Sequence, residues 1–193
     1  MTPIQKTVEK LFSKYKLISL PAKKPIAYGF VYYLVEGWVR LYTICPKGNE
    51  LTLHIYEPGS FFPMEKVLGN VTHDYALETL SAAKLYECPE EDFLIMVKKK
   101  TQILMDLVSR LTSGTFKLLN RIEMTAGATA SQKIESVLTY LGRHFGNPIT
   151  PHFTHLDISK ITGLTRETVS LEMEKLEEKG KIVYKGRKLF IKS

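Results

Sequence analysis

The chain has 193 residues, 44% of them hydrophobic and 24% charged, a balance that excludes wholesale disorder. No run approaches the roughly 18 apolar residues that a membrane span needs. Twenty-seven Lys and Arg against twenty Asp and Glu leave a net charge of +7, which suggests a polyanionic partner. The length is sufficient for one or two domains. Met1 to Lys6 carries no apolar run of signal-peptide length, so the expected location is cytoplasmic. Two cysteines, Cys45 and Cys88, cannot by themselves build a four-cysteine zinc site or hold an iron–sulfur cluster. The cations gather late: Lys179, Lys181, Lys185, Arg187, Lys188 and Lys192 follow one another with no acid between them.

In chain order, the first third reads as strands. Ile26–Tyr33, Gly37–Ile44 and Glu50–Tyr56 are rich in Val, Tyr, Ile, Leu and Thr, with a turn over Cys45-Pro46-Lys47-Gly48-Asn49. A further pair is expected over Tyr75–Leu80 and Lys84–Cys88. Short strands with regular turn signals predict an antiparallel sandwich or barrel. Pro89-Glu90-Glu91-Asp92 places a proline and three acids at a helix start, and a long helical stretch follows. Leu104, Val108, Leu111, Thr115, Leu118 and Ile122 are spaced 4, 3, 4, 3, 4, a heptad seam that predicts a two-helix dimer contact. The small residues 126–130 form a joint. Ser131 then opens a helix with Ile134, Val137, Leu138 and Leu141 on one face, ended by Gly146-Asn147-Pro148.

Residues 154–184 are the most informative. A short helix, Leu156 to Thr162, is apolar at Leu156, Ile158 and Ile161. Gly163 ends it in the left-handed conformation a tight turn needs, Leu164 plugs the corner, and Thr165 caps a second helix. There Val169, Met173 and Leu176 recur at i, i+4, i+7 and face inward, which leaves Arg166, Glu167, Ser170 and Leu171 facing out. This pattern is a helix-turn-helix, whose second helix presents its first turns to the major groove. Arg166 can donate twice to guanine and Glu167 can accept from cytosine N4. Thr165, Thr168 and Ser170 can bond phosphates. Ile182–Tyr184 and Leu189–Ile191 make a hairpin whose tip, Lys185-Gly186-Arg187-Lys188, is a basic wing for the DNA backbone.

Gly163-Leu164-Thr165-Arg166-Glu167-Thr168-Val169-Ser170 resembles the helix-turn-helix signature of the Crp/Fnr transcription regulators. Glu57-Pro58-Gly59-Ser60-Phe61-Phe62-Pro63 and Val35-Glu36-Gly37-Trp38-Val39 resemble that family's sensor-domain signatures. The resemblance implies an α+β chain: an N-terminal antiparallel β-roll (a double-stranded β-helix) over 1–96, a long dimerisation helix over 97–125, and a C-terminal winged helix-turn-helix over 126–193. It implies a homodimer that reads a palindromic operator with the helix at 165–179, through Arg166, Glu167 and Ser170. It implies double-stranded DNA as partner, with RNA polymerase as well if the protein activates; from the absence of a long apolar run, no membrane partner is expected. Where the family often has a second arginine, this chain has Leu171, which can touch a thymine methyl instead.

The resemblance also bears on the sensor. Relatives that bind cyclic AMP or GMP use a Gly-Glu pair for the ribose and an Arg with a small hydroxyl residue for the cyclic phosphate. Here Glu65 can reach a ribose, but Asp74-Tyr75 takes the place of the phosphate pair when Ala76 is the register mark. The phosphate site is lost, and the effector is expected not to be cyclic AMP. No cofactor is expected: there is no N-terminal cysteine cluster, and His54 and His73 read as ordinary sensor-domain histidines. His155 reads as a residue at a helix start, with His152 three before it and no third ligand evident. The β-roll either binds another small molecule or is a scaffold with an aromatic-filled interior. Two other functions compete. A cupin-type metalloenzyme needs two or three histidines and a carboxylate on one metal, and the strands offer His54 alone. A protein-interaction module that no longer touches DNA draws on Leu171 and the acids Glu172, Glu174, Glu177 and Glu178.

Overall fold

The computed structural model describes residues 3–69, 75–125, 127–150 and 152–192. Asp74 and His73 lie outside the described residues. The elements in order are α1 (Pro3–Phe12), β1 (Lys16–Leu20), β2 (Pro25–Ile26), β3 (Phe30–Glu36), β4 (Val39–Ile44), β5 (Glu50–Tyr56), β6 (Phe61–Phe62), α2 (Met64–Val67), β7 (Ala76–Thr79), β8 (Ala83–Pro89), α3 (Glu90–Lys99), α4 (Thr101–Thr125), α5 (Ala130–Phe145), α6 (His155–Thr162), α7 (Arg166–Glu178), β9 (Ile182–Lys185) and β10 (Lys188–Ile191). The chain divides into two compact units, Met1–Ile44 with Thr52–Lys117 and Cys45–Leu51 with Leu118–Ser193.

The first unit is built on two four-stranded sheets, ordered β1-β8-β3-β6 and β2-β7-β4-β5. The pairings β1–β8, β3–β8, β3–β6, β2–β7 and β4–β7 are all antiparallel. Strand β3 shows why the unit has two cores. Successive side chains of a strand point to opposite faces, and both faces of β3 are covered. Tyr32 and Leu34 join Phe62, Leu85, Leu77 and Val39 in the layer between the sheets. Val31 and Tyr33 join Phe61 and Cys88 on the other face, beneath Phe12 of α1, Phe93 of α3, and Ile103 and Leu107 of α4. The neighbours Phe61 and Phe62 divide in the same way. Each such side chain, fully buried, contributes about 1.5–3 kcal/mol.

Several boundaries differ from the sequence reading. The run Ile26–Tyr33 breaks into β2 and β3 around Gly29, whose φ is 117°. The helical stretch after Pro89 breaks at Lys100, which is extended at φ −129°, ψ 90° and ends α3. The long helix therefore begins at Thr101. Glycine is required at position 37: φ is +87°, and a Cβ there would collide with the carbonyl oxygen of Ala82.

The second unit packs α5, α6 and α7 with the β9–β10 hairpin. Helix α5 starts one residue before Ser131, because Thr129 caps it in a reciprocal box with Gln132. Ile134, Leu138, Leu141 and Phe145 are its buried side chains, while Val137 is half-buried. Asn147 then clips the hairpin by donating from Nδ2 to the Ile191 carbonyl at 2.8 Å and accepting from the Ile191 N–H at 3.0 Å.

Candidate nucleic-acid interface

Helix α6 opens on a second capping box. Thr154 Oγ1 accepts from the Asp157 N–H at 3.1 Å, and Asp157 Oδ2 accepts from the Thr154 N–H at 2.8 Å. The helix thus begins at His155. Ile158 and Ile161 face the core, but Leu156 is 48% exposed and does not join them. Leu156 lies two positions before Ile158, about 200° around the helix, and the inward stripe passes through 158 and 161 instead. Gly163 closes the helix at φ 73°, ψ 10°, donating its N–H to the Ser159 carbonyl. That left-handed residue turns the chain into α7.

Thr165 is the N-cap of α7. Its Oγ1 accepts from the Thr168 N–H at 3.2 Å and lies 3.0 Å from the Thr168 hydroxyl. Val169, Met173 and Leu176 are buried. Arg166, Glu167 and Leu171 are exposed. The Glu167 carboxyl is held below its ordinary pKa, first by its own backbone N–H and then by the Thr165 hydroxyl. It is an ionised acceptor at the helix start. Glu172 is paired instead with Lys175 at 2.7 Å.

Ser170 is half-buried and engaged. His155 Nδ1 lies 2.9 Å from Ser170 Oγ, and His155 Nε2 lies 3.1 Å from Tyr184 Oη. One imidazole thereby joins the start of α6, the outer face of α7 and strand β9. Burial, with Arg166 and His152 nearby, pushes the His155 pKa down, which favours a neutral ring at pH 7. Beyond Tyr184 the hairpin turns at Gly186, and Lys185, Arg187 and Lys188 are all exposed at its tip. Lys185 Nζ sits 5.5 Å from the Phe190 ring centroid.

The other sequence-derived residues fall elsewhere. Leu104, Val108, Leu111, Leu118 and Ile122 are 42–63% exposed along α4, and Thr115 is exposed with them. Ile103 and Leu107, which the seam omitted, are buried in the β-roll's core. Between the sheets, Tyr56 and Tyr32 stack on Phe62 at 4.5 and 5.8 Å between ring centroids. Tyr28 Oη donates to the Tyr75 carbonyl at 2.8 Å. Among the described residues no three His, Cys, Asp or Glu side chains come together to hold a metal.

Residues 26–100 match the family described as Cyclic nucleotide-binding domain, and residues 132–193 match the Crp-like helix-turn-helix domain. The transcriptional regulator SdrP of Thermus thermophilus is 28% identical over 156 residues, spanning 78% of this chain and 73% of that protein. The global nitrogen regulator of Nostoc sp. is 26% identical over 169 residues, spanning 83% and 76%. A solved transcriptional regulator of the CRP/FNR family, also from Thermus thermophilus, superposes with a TM-score of 0.76 at 26% identity, covering 92% of this chain and 94% of that one. The chain belongs to the Crp/Fnr family of transcription regulators.

The fold of this Crp/Fnr regulator is also that of the c-di-GMP responsive global regulator CLP of Xanthomonas campestris. The two share a TM-score of 0.84 at 17% identity, over 97% of this chain and 99% of that one. The relatives are regulators rather than enzymes, which removes the cupin-type reading. Within the helix-turn-helix match, sequence reasoning missed the contacts of His155. It placed the residue at a helix start but had no signal linking it to Ser170 and Tyr184, which lie 15 and 29 residues further along.

Proposed function

We propose that this Crp/Fnr regulator acts in the cytoplasm as a homodimer that reads a palindromic operator, with α7 of each copy in the major groove. The observation that supports this most is the division of α7. Val169, Met173 and Leu176 are buried, while Arg166, Glu167 and Leu171 stay exposed at its N-terminal half. In this reading Arg166 donates to guanine, Glu167 accepts from cytosine and Leu171 packs on a thymine methyl. Thr165, Thr168, Lys185, Arg187 and Lys188 serve the phosphates, and Ser170 faces a base. The dimer forms along Leu104, Val108, Leu111, Thr115, Leu118 and Ile122. The β-roll, with its winged-helix and dimer segments, follows the division 1–96, 97–125 and 126–193.

The effector in this reading is not cyclic AMP. With Ala76 as the register mark, Asp74-Tyr75 takes the place of the phosphate-binding pair in the sequence, and an aspartate at that position would repel a phosphate. RNA polymerase is a further partner if the protein activates. Selection of bound sequences from random DNA with purified protein and no added ligand tests the proposal. The expected result is a palindromic motif; recovery of no enriched sequence would contradict it.

A further inference from the structure

On the reading that α7 faces base edges, we infer that His155 is a positioning residue for sequence recognition: held between Tyr184 and Ser170, its imidazole makes the Ser170 hydroxyl a hydrogen-bond donor toward DNA. A neutral imidazole has one N–H and one in-plane lone pair. With Nε2 at 3.1 Å from Tyr184 Oη and Nδ1 at 2.9 Å from Ser170 Oγ, only two wirings satisfy both contacts. In one, the phenol donates to Nε2, Nδ1–H donates to Ser170 Oγ, and the serine keeps its proton for another acceptor. In the other, Nε2–H donates to the phenol and Ser170 spends its proton on Nδ1, leaving only lone pairs for DNA.

The first wiring is favoured by the chemistry of Tyr184. A phenol oxygen shares its lone pair with the ring, so it is a better donor than acceptor. This phenol also stays protonated: burial, with the Glu177 carboxylate acting the same way, pushes its pKa up to about 12. Ser170 then offers the groove an O–H. In the major groove thymine O4, guanine O6 and N7, and adenine N7 accept such a bond, whereas cytosine presents only its N4 donor. The serine can therefore donate to a base that carries an acceptor at that edge, a contact the second wiring would not allow. That donor is set by a histidine that need touch no base.

The test compares selected DNA sequences for the wild type, Ser170→Ala, His155→Ala and Tyr184→Phe. Ser170→Ala identifies the base pair the serine meets, as the position where preference weakens. His155→Ala and Tyr184→Phe should weaken preference at that same pair by about three- to tenfold. Affinity for random duplex should stay near wild type, and Ser170→Ala should lose nothing further at that pair when His155→Ala is added. Tyr184→Phe keeps the ring beside His155, so it carries the test if His155→Ala fails to fold. If the wild type enriches an operator but both variants keep wild-type preference at the Ser170 pair, the wiring is wrong and the DNA reading stands. No pair altered by Ser170→Ala also overturns it. If the wild type enriches no sequence, the DNA reading fails and takes this inference with it.

Discussion

Arg110 of α4 donates through Nη1 to the carbonyl oxygen of Gly59 at 3.1 Å, joining the long helix to the β5–β6 loop. Asp106, one turn earlier, accepts from Arg110 Nε at 2.7 Å and fixes the guanidinium, which lies 5.1 Å from the Phe61 ring centroid. Sequence periodicity alone could have put Arg110 on a solvated face. Arg110→Ala should cost about 1–2 kcal/mol, because a charged donor leaves a carbonyl it partly shields from water. Asp106→Asn should cost less, since the partly exposed ion pair is screened. Thermal unfolding reads both, and an unchanged midpoint for Arg110→Ala would show that the clasp holds nothing.

The seam on α4 makes a separate prediction. Its apolar residues are exposed, while Ile103 and Leu107 are buried in the β-roll's core. Changing Leu111 and Leu118 together to glutamate should leave the fold of the first unit intact and give monomers on sedimentation. A double variant that still sediments as a dimer would place the dimer contact elsewhere.

Cyclic AMP and cyclic GMP at millimolar concentration should leave the melting temperature unchanged. A ligand at 100 times its dissociation constant stabilises by about 2.7 kcal/mol, so genuine binding would be plain in a thermal scan. A clear upshift with either nucleotide would show that the β-roll accommodates a cyclic phosphate beside Tyr75.

How far the sequence could be read follows from the range of the forces involved. The helix-turn-helix was legible because its signals are local: Gly163 supplies the left-handed turn, Thr165 the cap, and Val169, Met173 and Leu176 the inward stripe. Strand β5 was legible in full as Glu50–Tyr56. Strand β3 was blurred because both its faces are buried, which erases the alternation that marks a half-exposed strand. The break at Lys100 falls within Lys98-Lys99-Lys100-Thr101, a run with neither Gly nor Pro to signal it. Strand β1 is mostly exposed and gains its definition from pairing with β8, more than sixty residues away. The His155 contacts are tertiary in the same sense.

His155 also gives the winged-helix unit a pH dependence. Its folded pKa is lowered by burial, then by Arg166 and His152; Ser170 and Tyr184 are its neutral neighbours. In the unfolded chain a histidine titrates near about 6.5. Between the lowered folded value and that one, the unfolded state binds more protons, so stability rises with pH. The unit should be fully stable above the unfolded value and weaken as pH falls below it. Urea midpoints at about pH 7.5 and about pH 5 should differ for the wild type and differ less for His155→Gln. An equal drop in both would assign the effect to other groups.

The most direct test of the central claim, that α7 reads bases while the wing holds phosphates, is a binding titration of Arg166→Ala and Lys188→Ala on operator and on random duplex at several salt concentrations. Loss of a bidentate arginine–guanine contact costs about 1–3 kcal/mol and falls on the preferred sequence. Loss of a phosphate contact weakens all sequences alike and flattens the plot of log affinity against log salt by about one unit per contact. Arg166→Ala should therefore lower the ratio of operator to random-duplex affinity, and Lys188→Ala should keep that ratio while reducing the salt slope. An Arg166→Ala variant that weakens both duplexes equally would contradict the claim that the second helix reads bases.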